Sequence, residues 1–373
     1  MNQDQRNAAA RRPEAAGLAL VEVMIALTLG LVIVAALGQL YAGSKQSYVL
    51  GDAMVRLNEN GRFVVDFLSN EIRVAGYLSC GGGASELGNS VNGGSDWLYQ
   101  TVGVGGYESG ASVLPSAFTN QVRAGTDVLV LRHAALDLKR SVTENSSSVN
   151  TMKFGITHDF QVGEILVIAN PSCTQTSLFQ VTGRLNLEHP DVDDVYDAVK
   201  YGLPAGGTLG SVPGNCTGAL FGTFNCSNYT LNAKGGTFPS KSLVSHYAVN
   251  AYYVSAADPP ALVRKSLGRD GQVTTNPEVL IRDVEDLQVL YGRDTHPDNT
   301  HRVDDYVTAD QVTDWTTVVS IRFAILMRSR DPHVRGAAAA PSYDLLGNTV
   351  APAADRHLRR SFGSLVALRN NLP

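Results

Sequence analysis

Along residues 18–37 every position is apolar or small except Thr28 and one ionisable side chain, Glu22. Twenty residues rise about 30 Å as a helix, the thickness of a bilayer's hydrocarbon core. From Leu50 the pattern changes from continuous to periodic. Leu50, Met54, Leu57, Val64, Leu68, Ile72 and Ala75 recur three or four apart, with Gly61 filling one gap. Such a stripe predicts an amphipathic helix with one buried face. Run together, residues 18–76 predict a single helix of about 88 Å, stopped at Gly76 before "SCGGG". Residues 79–121 are rich in Gly and Ser and read as loop, with "SDWLYQTVGV" as a short strand. Strand-type runs then follow at 126–134, 164–170, 177–183, 245–255, 261–267, 278–292, 317–329 and 360–370. Only residues 309–315 offer a helical spacer among them. Strand after strand without crossover helices predicts a mainly antiparallel sheet, and the class is α+β.

Composition agrees with a β domain rich in loops. The chain has 373 residues, 44% of them hydrophobic and 17% charged, with 36 glycines. Its formal charge of −5 gives no basic footprint for nucleic acid, nor a reason for its C-terminal part to seek an anionic membrane surface. Residues 1–17 are polar and carry three arginines against two carboxylates. A basic flank before an apolar helix keeps the N-terminus cytoplasmic and sends the rest across the membrane. Export favours oxidation of the four cysteines, Cys80, Cys173, Cys216 and Cys226, into two disulfides. Three pairings exist. Cys216 with Cys226 closes a short local loop, and Cys80 with Cys173 would tie the end of the helix to the sheet; the connectivity stays open.

Glu22 needs an explanation. A carboxylate at the centre of a membrane helix costs about 2.5–3.5 kcal/mol. The segment "GLALVE" resembles the class III leader of type IV prepilins, in which a glycine precedes a hydrophobic mature segment whose fifth residue is glutamate. On that resemblance, prepilin peptidase cuts between Gly17 and Leu18, Leu18 becomes the N-methylated first residue, and Glu22 is the fifth. Leu18 departs from the family's usual phenylalanine. The cut leaves an α-amino group four residues from Glu22. A glutamate paired with the amine of a neighbouring subunit is tolerable in an apolar setting where a lone one is not.

Further segments, "SKQSYVL", "RLNENGRFVVDFLSNEIRVAGYLSC", "VEDLQVLYG" and "VALRNNLP", resemble the PilW family of type IV minor pilins. The resemblance implies a leader at 1–17, a transmembrane and filament-core helix at 18–42, its amphipathic continuation at 43–78 and a β-rich periplasmic or extracellular domain at 79–373. It implies a protein of the inner membrane that enters the surface pilus and helps to prime its assembly near the tip. Its partners would be prepilin peptidase, other minor pilins, the major pilin and a tip adhesin. The region 81–240 carries no family motif and reads as loop-rich. Two alternatives remain, a pseudopilin of type II secretion and a minor pilin of a DNA-uptake pilus. Without residues 1–17 the chain would be one charge more negative, and no arginine–aromatic stripe favours direct DNA contact.

Little else points to chemistry. G-x-S-x-G, H-E-x-x-H and the P-loop are absent, and "VGVGGYESG" fails the dinucleotide pattern. No enzyme activity, cofactor or metal is expected. The acidic runs at 191–197 and 294–305 could offer oxygens to calcium, but neither fits the EF-hand pattern; both read as solvated loops.

Overall fold

The computed structural model describes residues 19–79, 86–93, 96–110, 112–135, 139–188, 190, 192, 194–203, 213–222, 235–296, 302–332, 341–353 and 355–370. Compactness divides the chain into Met1–Ala53 and Met54–Pro373. The first unit holds the beginning of the helix; the second holds its remainder and all the strands.

The helix α1 runs Leu20–Val74 as 55 residues, with Glu22 in its first turn and Arg73 in its last. Both charges complement the helix dipole. Gly76 ends it with φ at +80°, a conformation that glycine adopts without strain, and its N–H donates to the Arg132 carbonyl at 2.9 Å. The stripe read from the sequence is buried at Leu57, Gly61, Val64, Leu68, Ile72 and Ala75. It stops short at its N-terminal end: Met54 is exposed and Leu50 only half-buried.

Among the described residues the strands come in chain order. β1 (Glu86–Asn89), β2 (Val104–Tyr107), β3 (Val128–Ala134), β4 (Arg140–Ser146), β5 (Thr151–Phe154), β6 (Ile165–Ala169) and β7 (Gln175–Gln180) come first. After them lie β8 (Gly183–Leu185), β9 (Ala198–Lys200), β10 (Phe221–Gly222), β11 (Gly235–Gly236), β12 (Leu243–Val254), β13 (Ala261–Ser266) and β14 (Glu278–Arg282). β15 (Val284–Arg293), β16 (Asp305–Val307), β17 (Val318–Arg328), β18 (Tyr343–Leu345), β19 (Asn348–Val350) and β20 (Arg359–Ala367) complete the set.

β12 is the hub of a 12-stranded sheet. Its first residues pair with β6 and β4, and its later ones with β3 and β13. A separate 4-stranded sheet has the order β16-β15-β17-β20 and is antiparallel throughout. The α+β class is as expected, with one exception to antiparallel pairing, β1 beside β7.

Three expectations change. The run 278–292 is not one strand. Asp283 takes φ of +65°, which Asp tolerates better than most residues, and breaks it into β14 of the large sheet and β15 of the small one. The segment 309–315 forms two 3-10 turns, Ala309–Gln311 and Trp315–Thr317, instead of an α-helix. The region 81–240 contains β1 through β11, and 79–121 contains two of them. β3, β6 and β7 fall on runs that the sequence marks as strands; most of the others are only two to four residues long and carry too few apolar residues to show a pattern.

Candidate functional site

Between Leu20 and Tyr41 the helix exposes almost every large apolar side chain. It is long and apolar enough to cross a membrane by length and composition, and fits a single-pass anchor for a globular domain. A cytosolic surface of this kind would be costly, at about 25 cal/mol per Å² of apolar area. Glu22 stands exposed in the first turn of that stretch. Gly17 and Leu18 lie outside the described residues.

The second unit buries the remaining helix against the small sheet. Leu57, Val64, Leu68, Ile72 and Ala75 share one core with Leu287, Val289, Ile321, Phe323, Ile325 and Val366. Here the motif residues acquire roles. Gly61, of "ENGRF", lies under Phe362 of β20, whose ring a Cβ at that position would overlap. Glu71, of "NEIRVAGY", accepts a hydrogen bond from the Tyr252 hydroxyl at 2.7 Å. Asn370, of "LRNNLP", donates from Nδ2 to the carbonyls of Arg73, Val74 and Ala75 at 3.1–3.3 Å. It thereby caps carbonyls of the last turn, which have no intrahelical partner; that of Val74 also accepts from the Tyr77 N–H. Gly61, Glu71 and Asn370 thus all lie where the second part of α1 meets the strands and the chain end.

Two charged clusters hold this unit together. At one end of β20, Arg359 donates to both oxygens of Glu285 at 2.5 and 2.9 Å and to both of Asp355 at 2.6 and 2.7 Å. Burial opposes the Arg359 charge, but the two carboxylates outweigh it and raise its pKa. The same hydrogen bonds hold Asp355 down at about 2. Since β17 lies between β15 and β20, the Arg359–Glu285 pair reaches across a strand.

The second cluster joins the two sheets. Asp127, just before β3, donates its N–H to the Leu287 carbonyl at 2.9 Å and accepts from the Val289 N–H at 2.8 Å. Both partners lie on β15. Burial and the neighbouring Glu108 carboxyl push Asp127 up to about 7. Burial also raises Asp286 to about 6. Glu108, Asp127, Gln288 and Thr308 line a cavity of about 320 Å³ there.

Among the described residues, no three His, Cys, Asp or Glu side chains are placed to hold a metal ion. Parts of both acidic runs lie outside the described residues. Of the rest, Asp197 accepts from the N–H groups of Leu187 and Glu188. Asp304 accepts from Thr295 and His296, and Asp305 pairs with Arg293. These carboxylates order their own loops. No described cysteine is free: Cys173 and Cys216 are both disulfide-bonded. Cys80 and Cys226 lie outside the described residues. Asp127 and Arg359 carry no sequence signal, since a buried charge at a strand end has no signature in a single sequence.

The family model of PilW, type IV pilus-assembly protein W, matches residues 249–370. That stretch begins within β12 and contains the whole 4-stranded sheet, so the PilW match falls on the surface that receives α1. It accords with the PilW resemblance of the motifs, and the family it names is one of pilus assembly. The prepilin-like leader lies outside the match. No curated protein and no solved structure matches the chain.

Proposed function

We propose that this chain is a minor pilin of a type IV pilus that helps to prime filament assembly. The observation that carries the reading is the coincidence of two facts: the PilW match covers the sheet on which α1 packs, and the helix begins as an exposed apolar stretch bearing one carboxylate. On this reading residues 1–17 are a leader, 18–42 lie in the inner membrane and then in the filament core, 43–78 continue the helix, and 79–373 form the periplasmic domain. Prepilin peptidase cuts after Gly17 and Leu18 is N-methylated. Other minor pilins and a tip adhesin assemble with the chain, and the major pilin adds beneath. Disulfides join Cys216 to Cys226 and Cys80 to Cys173, which non-reducing peptide mapping would test.

Glu22 would pair with the N-terminal amine of an adjoining subunit. Breaking one partner of a buried pair costs on the order of 3–5 kcal/mol, roughly a thousandfold in an assembly equilibrium. The experiment replaces Glu22 by Ala in the native host and follows processing, minor-pilin co-purification and surface pili. Cleavage before Leu18 with lost co-purification is the expected result. A mature chain that starts elsewhere, or co-purification of secretion pseudopilins in place of minor pilins, rejects the reading.

A further inference from the structure

β20 is an outer strand of the small sheet: among the described residues it pairs with β17 alone. Two backbone bonds fix which of its groups are used. Leu368 N–H donates to the Val319 carbonyl beyond one end, and Ser329 N–H to the Leu358 carbonyl beyond the other. Hydrogen bonding alternates along an antiparallel pair. The even-numbered residues of β20 therefore face β17. Ser361, Gly363, Leu365 and Ala367 turn their N–H and C=O groups to the free side, and all four residues are exposed.

Natural proteins blunt such edges with Pro, Lys, bulges, or a covering loop. Here the register with β17 is unbroken over nine residues, and Ser, Gly and Ala leave the backbone bare. The charges of β20 stand at its start: Arg359 is held by Glu285 and Asp355, and Arg360 is turned away, stacking over Phe362 and bonding Asn58 of α1.

The face beside this edge is shaped. A cavity of about 430 Å³ is bounded by Arg322, Ala324, Asp344, Leu346, Ser361 and Gly363. Arg322 is exposed and lies opposite Leu365 in the pairing, and its guanidinium makes no hydrogen bond or ion pair among the described residues. Asp344 is engaged, its Oδ1 accepting from the Gly347 N–H at 2.7 Å. The cavity beside Gly363 and the guanidinium beside Leu365 are two strand positions apart, the spacing of side chains on one face of an added strand. Leu365 itself is 57% exposed and offers apolar surface between them.

We propose that the free edge of β20 accepts an extended segment of another polypeptide as a fifth strand. That segment places an apolar side chain in the cavity beside Gly363 and a carboxylate two residues away on Arg322. Main-chain bonds supply the affinity, and the two side chains supply the choice of partner. The inference rests on strand geometry and stands apart from the proposed pilus role.

The test uses the full chain in detergent and a labelled nine-residue threonine peptide with valine at its centre and glutamate two places to either side, so that it reads alike in both directions. Saturable binding by fluorescence anisotropy is expected. Methylating the peptide's alternate backbone nitrogens should abolish it. Arg322→Glu should weaken it by about tenfold or more, as expected for a charge-assisted bond, and should restore binding to a lysine version of the peptide. Leu365→Pro removes only an outward N–H, so it should block binding while the circular-dichroism melt stays unchanged. If Leu365→Pro unfolds the chain, the methylated peptide and the Arg322 charge swap still decide. Absence of saturable binding, or binding indifferent to backbone methylation, overturns the proposal. So does self-association abolished by Leu365→Pro, which would show that a second copy fills the edge.

Discussion

Residues 20–53 and 54–74 belong to one helix and meet opposite surroundings. As far as Tyr41 in the first stretch, apolar side chains point all round and nearly all are exposed; in the second, one stripe is buried and the other faces are mostly polar, with Val55 and Phe63 exposed among them. Helices of the first kind are stable where backbone groups must satisfy one another, as in lipid. Helices of the second kind draw their stability from packing on a partner surface. The same polypeptide geometry thus serves two solvents, and only the distribution of apolar residues around the axis changes.

The sharpest way to break the comparison is to remove the same side chain from each half. Leu68 is fully buried against the small sheet. Leu68→Ala should destabilise the globular unit by about 2–5 kcal/mol, through lost burial and the cavity left behind. Leu31→Ala, at an exposed position, should leave the melting of that unit unchanged. Thermal melts of the full chain in detergent compare the two. Equal losses would mean that the first half is also packed on the strands.

A second difference is electrostatic. The second unit encloses carboxyls that resist ionisation; Asp127 is pushed up to about 7 and Asp286 to about 6, chiefly by burial. Both lie above the unfolded value of about 3.9. Their contribution to stability is therefore complete below about pH 4 and is lost as pH rises through 6 to 7. Each proton released changes stability by up to about 1.4 kcal/mol per pH unit. Asp355 acts the other way. Held at about 2 by Arg359, it adds stability above about pH 4 that is lost as pH falls through 2. The globular unit should accordingly be more stable at pH 5 than at pH 8. Asp127→Asn, which keeps an acceptor for the Val289 N–H, should flatten that slope. An unchanged slope in the variant would remove Asp127 from the account.

Much of this was legible in the sequence, for reasons that name particular residues. The stripe from Leu57 to Ala75 is a packing constraint with a period, so its burial could be read directly. Long strands such as β12 and β17 also declare themselves, because buried Val, Ile and Tyr accumulate in them. Asp283 was hidden. A run of strand-forming residues continues on both sides of it, and only the backbone reversal at φ +65° assigns the halves to different sheets. Asn370 and Gly61 were visible as motif letters, but their partners lie some 300 residues away in the chain. No local pattern could say that one caps α1 and the other admits Phe362.

The glycines of α1 give the finest test of the two halves. Gly38 has no atom within 4 Å of where a Cβ would stand, whereas at Gly61 a Cβ would overlap the Phe362 ring. Glycine within a helix costs about 1 kcal/mol relative to alanine, so both substitutions gain that much intrinsic helix stability. At Gly61 the ring must move, and forcing extra volume into a packed contact costs typically about 1–3 kcal/mol. Gly61→Ala should therefore end near neutral or up to about 2 kcal/mol less stable, lowering the melting temperature by a few degrees. Gly38→Ala should leave that melt unmoved, because the added Cβ would meet no described atom within 4 Å. The double variant Gly61→Ala with Phe362→Leu separates the causes. If the ring is the obstacle, alanine at position 61 should be better tolerated beside leucine than beside phenylalanine. If Gly61→Ala costs the same in both backgrounds, the glycine is needed for something other than the approach of β20.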